Sequence, residues 1–308
     1  MNSSSARIDK PLAGIHVALL SGFGGDGRFD QDRQRQIVER VLSQQVDGLY
    51  VGGSSGEAAF MTVEELLEQQ RVVAEHARGR GVKLIAHVGQ PSVYQSLRLA
   101  HSAESHGYDA VSALPPYAIP HTAEELINYY RIVAAATPLP LIVYEVPART
   151  GRTTPLESIL SILALPGVSG IKFTSADLYT LSRLRKHAPD ATFFFGSDEM
   201  FGPAAAFGVD GGIGTTYNVL GSLYTALRDA VDAAELDTAR TLQSISQDYV
   251  EALLQVGVIP GTKATLEALG IDIGPARAPL ALRGSDPRGV IARAIEAPGF
   301  RDWAIRPT

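Results

Sequence analysis

Short apolar runs alternate along the chain with longer stretches in which apolar residues recur every three or four positions. The runs are GIHVALL (14–20), DGLYV (47–51), KLIAHV (83–88), DAVSAL (109–114), PLIVYE (140–145), VSGIKF (168–173), ATFFF (191–195) and DGGIG (210–214). Their length and bounding turn residues predict strands. Between them, FDQDRQRQIVERVLSQQ, TVEELLEQQRVVAEHARG and TAEELINYYRIVAAA carry the helical period. Their first turns open on Asp30, Thr62 and Thr122, residues suited to N-caps, and Glu64–Glu65 and Glu124–Glu125 follow two of them. The repeat of roughly 30 residues is the size of a βαβ unit. Eight such units predict a (β/α)₈ barrel over residues 12–233, with an open doubly wound sheet as the structural alternative. From about residue 218 only helical pattern continues, up to a Gly/Pro-punctuated tail, which predicts a C-terminal helical extension over 234–308.

Composition narrows the function. A chain of 308 residues with 45% hydrophobic and 19% charged residues has ample core for a globular protein. A net charge of −6, with no basic cluster to overrule it, argues against nucleic acid as a partner. There is no cysteine, so disulfides and thiolate metal sites are excluded and a reducing compartment is permitted. The N-terminal MNSSSARIDK lacks the apolar stretch of a secretion signal, and IHVALL is too short to span a bilayer. The expectation is a soluble cytoplasmic protein.

GFGGDG (22–27) fits the glycine fingerprint of dinucleotide sites, follows a predicted strand and has Asp47 at about the right distance. Two details oppose that reading. Asp47 precedes the second strand instead of ending it, and the next helix is capped by Asp30, three residues beyond Gly27. A glycine-rich loop between the first strand and helix explains the stretch better.

Chemistry in such barrels sits where the strands end. The second strand ends in GGSSGE (52–57), the fifth in Tyr144, the sixth in Lys172, and the seventh runs into GSDE (196–199). Of five lysines, Lys83 begins its strand, while Lys10, Lys186 and Lys263 lie in polar or helical surroundings. Lys172 alone is placed at the active face. A lysine ending an apolar run can simply snorkel to water, but its neighbours Ile171 and Phe173 read instead as tuning the pKa of a nucleophilic amine. Such an amine condenses with a ketone, and the protonated imine is an electron sink for breaking an adjacent C–C bond. GGSSGE offers backbone N–H groups and the Ser54 and Ser55 hydroxyls to a carboxylate. Tyr144 can shuttle a proton. Asp198 and Glu199 can accept hydrogen bonds from hydroxyls and repel a phosphate, although Asp198 is also suited to cap the next helix.

GGSSGE, IAHVG, DAVSALPP, VYEVPARTG, IKFTSADLY and VDGGIGTTYN, in that order, resemble the dihydrodipicolinate synthase and N-acetylneuraminate lyase superfamily over about residues 12–285. The wording is most similar to the sialic acid lyases. The resemblance implies Lys172 as the imine lysine, Tyr144 as the catalytic tyrosine and Ser54 as a proton relay. Ser55 would hold the keto-acid carboxylate, with Thr174, Gly196, Asp198, Glu199 and Thr215 lining the pocket for a hydroxylated tail. It further implies a homotetramer that needs no metal and no cofactor and takes a keto acid and an aldehyde as small-molecule partners.

Two departures stand out. PPYAIP places Tyr117 first and Ala118 where the family usually has a tyrosine that enters the neighbouring subunit's relay. PARTG carries Arg149 where sialic acid lyases usually have an apolar residue and dihydrodipicolinate synthases have an arginine for a second carboxylate; a guanidinium suits a planar carboxylate. The function expected is a pyruvate-forming lyase acting on a 2-keto-3-deoxy sugar acid. A dihydrodipicolinate synthase or related keto-acid aldolase or dehydratase is the alternative enzyme, and a catalytically weak paralogue that only binds a keto acid is the alternative of another class.

Overall fold

The computed structural model describes residues 10–304. The N-terminal stretch read above for secretion signals thus lies largely outside the described residues, as do the last four residues of the predicted extension. Eight strands form one closed, all-parallel barrel in chain order: β1 (Gly14–Ala18), β2 (Gly48–Val51), β3 (Lys83–His87), β4 (Ala110–Ala113), β5 (Leu141–Glu145), β6 (Val168–Phe173), β7 (Thr192–Phe195) and β8 (Gly211–Gly214). Closure is made by β8 pairing with β1, from Gly14 opposite Gly211 to Val17 opposite Gly214. That pairing rules out the open sheet. Each strand falls within two residues of its expected bounds.

The caps behave as their chemistry requires. Asp30 accepts from the backbone N–H groups of Asp32 and Arg33 at the start of helix Gln31–Leu42. Thr62 and Glu65, and likewise Thr122 and Glu125, satisfy each other's N–H groups as capping boxes on helices Val63–Ala77 and Ala123–Ala135. Removing such a cap costs about 1 kcal/mol. GFGGDG forms a loop closed by a bridge between Phe23 and Phe29. Asp47 accepts from Ile15 N–H at 2.7 Å and pairs with Arg228 at 3.2 Å, so it serves the barrel wall at the start of the strands.

Strand alternation separates the two main clusters of the core, and a third, small one of Leu114, Tyr144 and Val146 lies at the ends of β4 and β5. Tyr50, Ile85, Ile142, Phe194 and Ile213 fill the barrel interior with Leu12, Ala18 and Ala110. Ile171, Phe173, Phe193 and Phe195 belong to the layer between strands and helices. Lys172 therefore faces inward while its chain neighbours face outward. The expectation that Ile171 and Phe173 tune the lysine is corrected by this geometry, since they lie on the other face of β6.

Beyond β8 follow helices Tyr217–Asp232, Leu236–Val256, Val258–Ala268, Pro287–Ile295 and Phe300–Ala304. Ile259 and Leu280 from this part reach the cleft at the strand ends. Among the described residues no helix is long and apolar enough to cross a membrane.

Candidate active site

Tyr144 and Lys172 are register partners on β5 and β6, and Phe194 of β7 lies beside Lys172. The Lys172 side chain is buried, with the residue only 4% exposed. Its Nζ lies 4.2 Å from the centroid of the Tyr144 ring and 4.5 Å from that of Tyr50. No carboxylate lies within ion-pair distance of it among the described residues. Burial lowers the pKa of the amine, while the charges of Tyr144 and Asp198 oppose that shift. Burial acts to raise the Tyr144 phenol, but the charges of Lys172 and Arg149 outweigh it, and the net shift is downward. The pair thus has an amine that loses its proton more readily than usual beside a phenol that does the same.

Gly196, just after β7, is small for a reason. A Cβ there would collide with Thr174 Oγ1 and sit 3.1 Å from Lys172 Cε. Ser55 Oγ and Thr215 Oγ1 are 2.6 Å apart, joining the loop after β2 to the loop after β8. Asp198 is buried. Its Oδ2 accepts from Thr216 N–H at 2.8 Å and Thr216 Oγ1 at 2.7 Å, while Oδ1 has no hydrogen-bond partner among the described residues. It does not cap the helix that follows it; it anchors the turn after β8. Burial pushes its carboxyl up to about 6, against the bonds from Thr216. Glu199 is exposed, and its carbonyl accepts from Gln247 at 2.9 Å.

A cleft of about 360 Å³ lies over these strand ends, lined by Ser54, His87, Tyr117, Arg149, Ile259 and Leu280 among others. Tyr117, 41% exposed, is the tyrosine of the fourth loop that enters the cleft, while Ala118 is exposed. Arg149, on the single turn Pro147–Thr150, makes no ion pair among the described residues. The turn is anchored by Glu145, whose buried carboxylate accepts from Thr154 N–H at 3.0 Å and Thr154 Oγ1 at 2.7 Å. The structure thus gathers Lys172, Tyr144, Thr174, Gly196 and Asp198 around the barrel axis. It places Ser54 and Arg149 on the cleft wall and leaves Glu199 at the rim.

Three interior residues were not singled out by the sequence: Tyr50, His87 and Ser112. The Tyr50 hydroxyl lies 2.9 Å from His87 Nδ1 and 3.0 Å from Ser112 Oγ, directly beneath the amine. Burial lowers the His87 pKa to about 3, so the ring is neutral. Among the described residues, no group of three or more His, Asp or Glu side chains is arranged to hold a metal ion.

Residues 11–297 match the model of the dihydrodipicolinate synthetase family. An N-acetylneuraminate lyase from Rhizobium meliloti is 42% identical over 268 residues, 87% of this chain and 89% of that protein. The solved structure of CdNal from Clostridium difficile in complex with mannosamine superposes with a TM-score of 0.90 at 31% identity, over 95% of this chain and 99% of that one. N-acetylneuraminate lyase from Fusobacterium nucleatum complexed with pyruvate superposes with a TM-score of 0.87 at 30% identity, over 92% and 96% of the two chains.

Proposed function

The chain belongs to the dihydrodipicolinate synthetase family, and from that premise we propose that it is a Schiff-base carbon–carbon lyase. Its substrate is an N-acetylneuraminate-like 2-keto-3-deoxy sugar acid, cleaved to pyruvate and an aldehyde. The observation that carries this reading is the Lys172 amine, buried at the end of β6 against Tyr144 with no carboxylate to hold its proton. The neutral amine adds to the C2 carbonyl, and Tyr144 gives its proton to the departing hydroxyl, so that loss of water leaves a cationic iminium beside the Tyr144 phenolate. Tyr144 takes the proton of the C4 hydroxyl as the C3–C4 bond breaks, and the electron pair flows into the iminium to give an enamine. Protonation at C3 and attack by water release pyruvate and the free amine. A phenol that must give and recover a proton is served by the lowered pKa of Tyr144.

In this reading Ser55, bonded to Thr215, holds the keto-acid carboxylate with the backbone of its loop, and Ser54 relays protons from the cleft wall. Thr174, Gly196, Asp198 and Glu199 face the hydroxylated tail, where Asp198 Oδ1 is an acceptor in want of a donor. The iminium is itself the electron sink, so we propose that neither metal nor separate cofactor takes part. We further propose a cytoplasmic homotetramer, supported by the family and by the exposed apolar side chains of Ile119, Tyr179 and Phe207. Light scattering at four times the 32.8 kDa chain mass is the expected result, and a monomer would refute it.

Substrate choice is tested with N-acetylneuraminate, 2-keto-3-deoxygluconate, 2-keto-3-deoxygalactonate, and pyruvate with aspartate semialdehyde. Sugar-acid cleavage should dominate and should suffer in Asp198→Ala, because a site built to bond hydroxyls is left with unpaired groups when the match is lost. Arg149→Leu should be tolerated. The sugar reading fails if the semialdehyde pair is the best substrate and only Arg149→Leu harms it.

A further inference from the structure

The Lys172 nitrogen lies over two aromatic faces, and only one of them belongs to a residue with a part in the mechanism above. The Tyr50 and Tyr144 rings stand 81° apart with centroids 6.3 Å from each other, so the nitrogen sits in the corner between them. Tyr50 is fully buried in the barrel interior and is fixed from several sides. Its hydroxyl donates to Ser112 Oγ on β4 and shares a hydrogen bond with Nδ1 of neutral His87 on β3. Against its edge lies Gly53, where a Cβ would come within 2.5 Å of Tyr50 Cε1. The ring therefore shares its position with the GGSSGE loop. Burial raises the Tyr50 phenol well above its ordinary value, so the ring stays neutral and its face stays electron-rich without becoming a phenolate.

We propose that Tyr50 is a further catalytic residue, whose ring face stabilises the positive charge on the Lys172 nitrogen in the iminium, with His87 and Ser112 as the positioning residues that hold the ring. This rests on the Schiff-base reading above. A cation over an aromatic face within about 6 Å is attracted by the ring quadrupole, most strongly where water is excluded. The corner offers that attraction and no carboxylate. A carboxylate would stabilise the ammonium of the resting enzyme so well that little neutral amine remained, whereas a neutral ring favours the cation without fixing the proton. The other groups facing the nitrogen are Tyr144 from β5, His87 from β3, and the more distant charges of Asp198 after β7 and Arg149 after β5.

The test is to replace Tyr50 by phenylalanine and then by mono-, di- and trifluorophenylalanine, which keep the shape while draining charge from the ring face. The probe is pyruvate with borohydride, read as labelling of Lys172 by peptide mass across a range of pH. The pKa of the free amine in that profile should fall stepwise with fluorine number. The pyruvate affinity on the alkaline plateau, where the amine starts neutral, should fall with it, spanning about 3- to 30-fold over the series. If Tyr50→Phe does not fold, fluorotyrosines carry the same series with the bonds to His87 and Ser112 intact. Normal labelling at Lys172 with no trend in either quantity overturns the role of Tyr50 and leaves the Schiff-base reading standing. Failure of the unaltered protein to label at Lys172 overturns both.

Discussion

Among the described residues two lysines are deeply buried, and the proposed mechanism uses only one of them. Lys172 is 4% exposed and Lys263, on helix Val258–Ala268, is 3% exposed. Each nitrogen lies over an aromatic ring, Lys263 at 4.4 Å from that of Phe23. Burial lowers the pKa of both. The difference is the partner. Lys263 is 2.8 Å from Glu57 Oε1 and donates to the Pro275 carbonyl at 3.0 Å, whereas Lys172 has rings and no carboxylate. Burial disfavours the charged form of both amines, but only Lys263 has an ion-paired carboxylate to oppose it. Lys263 serves structure, because Glu57 closes the GGSSGE loop in a left-handed conformation at φ 61° and also accepts from Arg277 N–H at 2.6 Å. Lys263 thus helps hold the loop that carries Ser54 and Ser55, the residues that the proposed mechanism sets around Lys172.

The contrast breaks most visibly at Lys172 itself. Lys172→Met should reduce turnover by about 10⁴-fold or more, as loss of a nucleophile does. Its melting temperature should be unchanged or higher, because an ammonium without a carboxylate is replaced by an apolar chain of similar length. A large loss of stability would mean that Lys172 is a second structural lysine. The same change at Lys263 should do the reverse. Lys263→Met leaves Glu57 buried and unpaired and should cost about 3–5 kcal/mol of stability by denaturant unfolding, with much of it recovered when Glu57→Leu is added. No recovery would show that the pair is not the source of the loss.

Asp198 sharpens the comparison at smaller scale. It is a charge near Lys172, yet it behaves as a desolvated carboxyl and not as a partner. Its folded pKa of about 6 lies above the unfolded value of 3.8, so its stabilising contribution is complete below pH 3.8 and is lost as pH rises through 6. That amounts to about 3 kcal/mol between those limits. The unfolding free energy of the parent protein, relative to Asp198→Asn, should decline by about that amount from pH 4 to pH 7. A relative stability that rises with pH would make Asp198 an ion-paired carboxylate instead.

Much of this was legible in the sequence, for physical reasons that also mark where legibility stopped. Caps at Asp30, Thr62 and Thr122 are local bonds between residues two or three apart, so the helix starts were readable. The eight strands and their repeat gave the barrel, and strand-end position alone placed Lys172 and Tyr144 together. The burial of Lys172 was anticipated from the wrong residues: Ile171 and Phe173 face the helices, while the rings that enclose the amine come from β2 and β5. Tyr50 and His87 sit within apolar strands, and a strand covered on both faces does not announce which side chains enter the barrel. Lys263 looked like an ordinary helical lysine, because its partner Glu57 is 206 positions away and no local pattern links the two.

Of these two buried amines only Lys172 should form an imine. The most direct measurement is to incubate the protein with pyruvate, reduce with borohydride, and map the adduct by peptide mass spectrometry. The predicted result is one reduced pyruvyl adduct per chain, on the peptide containing Lys172, with Lys263 unmodified and no adduct in Lys172→Met. An adduct on Lys263 or any other lysine, or none at all, would contradict it.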